Sequence, residues 1–158
     1  MSEVVLARID DRLIHGQVMT AWLQYTGGNH IVIIDEETAK DDFLKTVMEM
    51  SVPEGVKLDI FGIDDAAEFL INDNDDEKLL LLAKTPAVYY ALIEKGVKLD
   101  EIVVGGMGAA KNRSKFYKNI SASEDEKVIF GKIIDAGTSM KVQIVPSDKS
   151  TDVSGLLS

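Results

Sequence analysis

Nine residues, RIDDRLIHG at positions 8–16, gather Arg8, Asp10, Asp11, Arg12, His15 and Gly16 where an apolar run stops. A carboxylate that holds one imidazole nitrogen leaves the other nitrogen free to attack. Asp10 and Asp11 are both in reach of that task. Arg8 and Arg12 offer guanidinium forks suited to phosphate. Gly16 stands where a helix begins, and the unpaired N–H groups of a helix N-terminus favour an anion. Two further segments carry polar groups at strand ends: AKTP supplies Lys84 and Thr85, and GGMG supplies Gly105 and Gly106, which let backbone approach a ligand. Together these residues describe a nucleophilic histidine in a phosphate-binding nest, and the chemistry is phosphoryl transfer through phosphohistidine. Plainer readings stand beside this one. A lone histidine beside a helix is often structural. Arg8 lies in or at the end of a strand and can simply pair with an aspartate. The glycines can mark a strand-to-loop turn alone. His30, which opens a strand, is read as structural.

Composition narrows the function classes. The chain has 158 residues, a net charge of −10 and no cysteine. The charge speaks against nucleic acid, which wants a basic face. Without cysteine there are no disulfides, thiolate nucleophiles or thiolate metal sites. Neither a metal nor a cofactor is expected: no histidine pairing suits zinc, no Walker A loop is present, and GGMG is not GxGxxG. NDNDDE at 72–77 lacks the spacing of a calcium loop and reads as a solvated turn. No apolar run reaches the roughly 20 residues of a membrane span, and the N-terminus lacks a signal pattern. A soluble, intracellular protein of one domain, residues 1–158, is expected.

Short apolar runs alternating with helical periods must position these groups. Strands are expected at Val4 to Ile9, His30 to Ile34, Val56 to Phe61, Leu79 to Ala83, Ile102 to Val104 and Met140 to Val145, with a short one near Phe116. The first helix places Val18, Ala21, Trp22 and Tyr25 on an apolar face and ends at Gly27-Gly28. Thr38 is expected to cap a second helix with Phe43, Leu44, Val47 and Met48 facing inward. A short helix runs from about Asp64 to Ile71. Thr85-Pro86 opens a helix closed by Gly96, Ser123 with Glu126 forms a capping box, and one helical turn is expected in the tail. This alternation predicts a single doubly wound α/β fold: a mostly parallel open sheet with helices on both faces. In such sheets ligands sit beyond the carboxyl ends of the strands. With a strand order of the 3-2-1-4-5 kind, strands 1 and 4 flank the crevice, and the loops after strands 1, 4 and 5 form one site.

RIDDRLIHGQV (8–18) closely resembles the active-site signature of the IIB component of the bacterial sugar phosphotransferase system, mannose/fructose/sorbose family. HIVIIDE, LLAKTP and VVGGMG before a basic-polar stretch resemble that family in the same order; GGMGA differs mildly from the GGMSF-like form of relatives. The resemblance implies a cytoplasmic phosphoryl carrier. His15 matches the histidine phosphorylated by a IIA partner, at Nδ1, and Arg12 matches the nearby family arginine. The group then passes to a sugar entering through the membrane components IIC and IID. Homo-oligomer formation and the choice of sugar are left open. Two other classes compete: a non-covalent anion- or metabolite-binding regulatory module, and a small phosphohydrolase using His15 as general base. The motif offers that hydrolase no obvious second acid, base or nucleophile.

Overall fold

A computed structural model of the chain describes residues 2–72 and 75–157. The elements run β1 (Glu3–Asp10), α1 (Gly16–Thr26), β2 (His30–Ile34), α2 (Glu36–Ala39), α3 (Asp42–Ser51), β3 (Lys57–Phe61), α4 (Ile63–Asn72) and β4 (Lys78–Ala83). They continue with α5 (Pro86–Glu94), β5 (Glu101–Gly106), β6 (Ser114–Tyr117), β7 (Ile120–Ala122), α6 (Glu124–Asp135), β8 (Ser139–Val142), β9 (Thr151–Asp152) and a 3-10 turn at Ser154–Leu156. Seven strands form one sheet in the order β3-β2-β4-β1-β5-β8-β9, parallel except for β9. β6 and β7 form a separate antiparallel ribbon.

The central strands are continuous apolar runs because helices cover both of their faces. β2 is buried at all five positions. Alternate residues feed two cores. Ile31, Ile33, Leu80 and Leu82 meet Met19, Trp22 and Leu23 of α1 on one face, while Ile9, Val32, Ile34 and Leu81 meet Tyr89, Leu92, Phe130 and Ile133 on the other. Each such side chain contributes about 1.5–3 kcal/mol by leaving water. Among the described residues no helix is long and apolar enough to cross a membrane.

The strand order corrects the expected one. β4 lies between β2 and β1, so the order is 3-2-4-1-5 rather than 3-2-1-4-5. Strands buried on both faces read alike in sequence, and periodicity does not say which lies beside which. The consequence favours the site: β1 has β4 on one flank and β5 on the other, with Ile9 opposite Ala83 and Asp10 opposite Gly106. All three loops therefore leave one sheet edge.

Local details also differ. Asp35 caps α2 and Asp41 caps α3; Thr38 lies inside α2, donating its N–H and hydroxyl to Asp35 Oδ2 at 3.1 and 2.6 Å. Phe43 and Val47 are exposed, because α3 meets the core mainly through Met48. Trp22 is buried as expected, but Tyr25 is 72% exposed. The stripe of α1 that meets the sheet is Met19, Trp22 and Leu23, and Tyr25 only touches the Trp22 ring edge-on at 6.0 Å. The capping box of Ser123 and Glu126 forms as expected. Part of the acidic turn at 72–77 lies outside the described residues.

Candidate functional site

The loop after β1 is shaped by two apolar residues. Leu13 donates its N–H to the Asp10 carbonyl at 2.9 Å and takes a left-handed φ of 57°. That conformation costs roughly 1–2 kcal/mol for a residue with a Cβ. Burial of the Leu13 side chain, 2% exposed, offsets it. With Leu13 and Ile14 plugged into the core, the polar residues between β1 and α1 are turned to the rim. His15 is the extended N-cap of α1, and its ring makes no capping hydrogen bond. It turns back to Asp10 instead.

Asp10 is the hub. Its Oδ1 accepts the Arg12 backbone N–H at 3.0 Å and Arg12 Nε at 3.1 Å. Its Oδ2 accepts His15 Nε2 at 3.1 Å, with Arg8 Nη2 and Arg12 Nη2 each at 3.4 Å. Burial pushes the Asp10 carboxyl up, but the Arg12 hydrogen bonds and the charges of Arg8 and Arg12 outweigh it and hold the group below its usual range. An ionised carboxylate only accepts, so His15 Nε2 is the donor, and in the neutral imidazole Nδ1 then holds the free lone pair. The aspartate left open by the sequence is thus Asp10. The Arg12 side chain is 54% exposed and that of His15 26%, which gives the site an open face.

Arg8 is sealed beneath this hub, with no exposure. Nη1 donates to the Gln143 carbonyl at 3.0 Å, the guanidinium lies 5.5 Å from the centre of the Trp22 ring, and Nε has no hydrogen-bond partner among the described residues. Burial pushes its pKa down, and Asp10 opposes the shift. The expectation of a fork offered directly to phosphate is therefore corrected: Arg8 supports Asp10 from below. The glycines are explained by the same packing. A Cβ on Gly105 would lie 1.9 Å from Arg8 Cζ, and one on Gly106 would lie 2.5 Å from Asp10 Oδ1. They make room for side chains of β1.

Asp11 faces the other way. Its Oδ2 accepts the Gly108 N–H at 2.8 Å and Arg113 Nη1 at 3.5 Å. Arg113 also donates to the Gly108 carbonyl at 3.0 Å and binds Glu126 through two hydrogen bonds of 2.9 Å. Its bonds to Glu126 raise the Arg113 pKa; in return Arg113 and Ser123 hold the Glu126 carboxyl low against the effect of burial. Arg113 was missed from the sequence. Its only local signal is a basic residue shortly before a capping-box glutamate. Lys84 extends towards the end of β2, where it pairs with Asp35 at 3.4 Å and Glu37 at 4.0 Å. Thr85 is the N-cap of α5 but makes no side-chain cap. The structure thus joins Arg8, Asp10, Arg12, His15, Gly105 and Gly106 in one cluster, held at its edge by Asp11 and Arg113.

Residues 4–158 match the family described as the PTS system sorbose subfamily IIB component. The chain is 33% identical to the N-acetylgalactosamine-specific phosphotransferase enzyme IIB component 2 of Escherichia coli K12, over 99% of this chain and all of the relative. It is also 33% identical to the longer mannose-specific EIIAB component of that organism, over 97% of this chain and 48% of the relative. The IIBSor domain of the sorbose permease from Klebsiella pneumoniae superposes with a TM-score of 0.93 at 26% identity, over 98% of this chain and 96% of that one.

Proposed function

We propose a mechanism for a chain that belongs, by its match over residues 4–158, to the sorbose subfamily of phosphotransferase-system IIB components: His15 Nδ1 takes a phosphoryl group from a IIA protein and passes it to a sugar entering through IIC and IID. The observation that carries the reading is the hydrogen bond from His15 Nε2 to the buried Asp10 carboxylate at 3.1 Å. With the proton held on Nε2, Nδ1 of the neutral ring is the nitrogen left to accept the group. The Nδ1 lone pair forms the new N–P bond as the bond from phosphorus to the donor histidine breaks. In the second step a sugar hydroxyl oxygen bonds to phosphorus, the N–P bond breaks, and the hydroxyl proton is released.

The transferring group gathers negative charge on its peripheral oxygens, and catalysis lies mostly in positioning and charge stabilisation. Arg12 is exposed enough to reach the group while one edge of its guanidinium stays on Asp10. The N–H groups at the start of α1 add a partial positive charge. Arg8 keeps Asp10 ionised from within. Residues 1–158 act as one IIB domain on the cytoplasmic face of the membrane.

The test is phosphorylation by a phosphorylated IIA protein, followed by location of the label. Acid-labile phosphate on Nδ1 of His15, retained in His30→Ala and absent in His15→Ala, is the expected result. Label on His30, or steady phosphate release without an acceptor, would refute it.

A further inference from the structure

A stretch of the chain without acidic residues borders the site. Between Ile102 and Ser123 there is no aspartate or glutamate, while Lys111, Arg113, Lys115 and Lys118 all fall within that span. The span begins in β5, whose end touches Asp10, and continues through the β6–β7 ribbon. Arg113 is consumed by Glu126 and Asp11. Lys118 sits at the tip, first of the two residues that join Tyr117 to Ile120. Its φ of 48° is one that glycine normally supplies in such a turn. Strain of this kind persists where the side chain has a use.

Lys118 is held over the Tyr117 ring, 5.4 Å from its centre, beside a recess of about 190 Å³ at the end of β8. Lys149, Gln143 and Asp148 line the same recess. The Tyr117 hydroxyl is hydrogen-bonded with Thr151 Oγ1 at 3.0 Å. That bond, with the charges of Lys118 and Lys149, pulls its pKa down. The carboxylate of Asp148 is turned to the Val145 N–H at 3.4 Å. Gln143 ties the recess to the site, since its carbonyl also receives Arg8 Nη1.

We infer that the Lys118–Lys149 recess is an anchor for a carboxylate side chain of the phosphoryl-donor protein, seating the donor while its phosphohistidine faces His15. The inference rests on the reading of His15 as acceptor. The size suits one carboxylate side chain, and two lysines on a chain of net charge −10 suit a matched protein surface better than an extended polyanion.

Single-turnover transfer from a phosphorylated IIA protein, measured against donor concentration and salt, tests the anchor. The variants are Lys118→Gly and Lys118→Gly with Lys149→Ala. The double variant should need about five- to tenfold more donor for half-maximal rate, with a flatter salt dependence and an unchanged maximal rate. Lys118→Gly should melt higher than the parent by about 2–4 °C as the turn relaxes. A parallel arm uses phosphoramidate, a small phosphoryl donor without a protein surface. Parent protein labelled by phosphoramidate at His15, with no change in donor requirement in the double variant, overturns the anchor alone. Parent protein unlabelled at His15 in both arms overturns the acceptor reading. Sedimentation with vesicles of anionic phospholipid by the parent and not by the double variant, with donor requirement unchanged, would assign the recess to a membrane surface and overturn the inference.

Discussion

Asp10 Oδ2 accepts a hydrogen bond from His15 Nε2 at 3.1 Å while its own side chain is only 1% exposed. The carboxylate that sets the histidine tautomer is therefore also the counter-ion of the buried Arg8, 3.4 Å away. Asp10→Asn should damage both roles. Removing the charge leaves Arg8 buried without its partner, which costs about 3–5 kcal/mol. It also loosens the tautomer lock, and phosphorylation of His15 should slow by about 10²–10⁴-fold. Urea unfolding and rapid-quench transfer measure the two effects; a normal rate at His15 would show that Asp10 serves packing alone.

Arg12 separates these roles. Its side chain is half exposed and the backbone N–H to Asp10 survives truncation. Arg12→Ala should lower stability by less than about 1 kcal/mol yet slow transfer by about 10²–10³-fold, as expected for a charge aimed at the transferring group. A large melting shift with normal transfer would mark Arg12 as structural.

Acid stability follows from the same hub. The folded-state pKa of Asp10 is depressed below 3.8, and that of Glu126 below 4.5. Each contributes stability that is full above its unfolded-state pKa and is lost as pH falls towards its lower folded-state value. Melting temperature should therefore hold near neutrality and fall steeply below about pH 4. Glu126→Gln should flatten that acid limb. An equally steep limb in the variant would place the acid sensitivity elsewhere.

Two glycines make a paired test. Gly105→Ala drives a methyl to 1.9 Å from Arg8 Cζ, displacing a buried cation, and should cost about 3 kcal/mol or more. Gly131→Ala, inside α6 with open space around its Cβ, should stabilise by about 0.5–1 kcal/mol. Thermal unfolding of both variants checks the sign of each; a neutral Gly105→Ala would mean that Arg8 can leave its cradle at little cost.

The alternation of buried strands and amphipathic helices, the capping box at Ser123 and the position of RIDDRLIHG between a strand and a helix were legible in the chain, because each depends on neighbours within a few residues. Nonlocal choices were not legible. Asp10 and Asp11 are chemically identical and adjacent; only the tight turn at Leu13 sends one to His15 and the other to Arg113, 102 residues on. Gly105 and Gly106 read as a ligand-binding loop until β5 paired with β1, which placed them against Arg8 and Asp10. The insertion of β4 between β2 and β1 had no local signature, since strands covered on both faces differ in their partners rather than in their pattern. Local periodicity determined the elements and the place of the loop between β1 and α1. Strand pairing across the sheet decided which charged groups meet, because only there do residues distant in sequence share one buried, low-dielectric space.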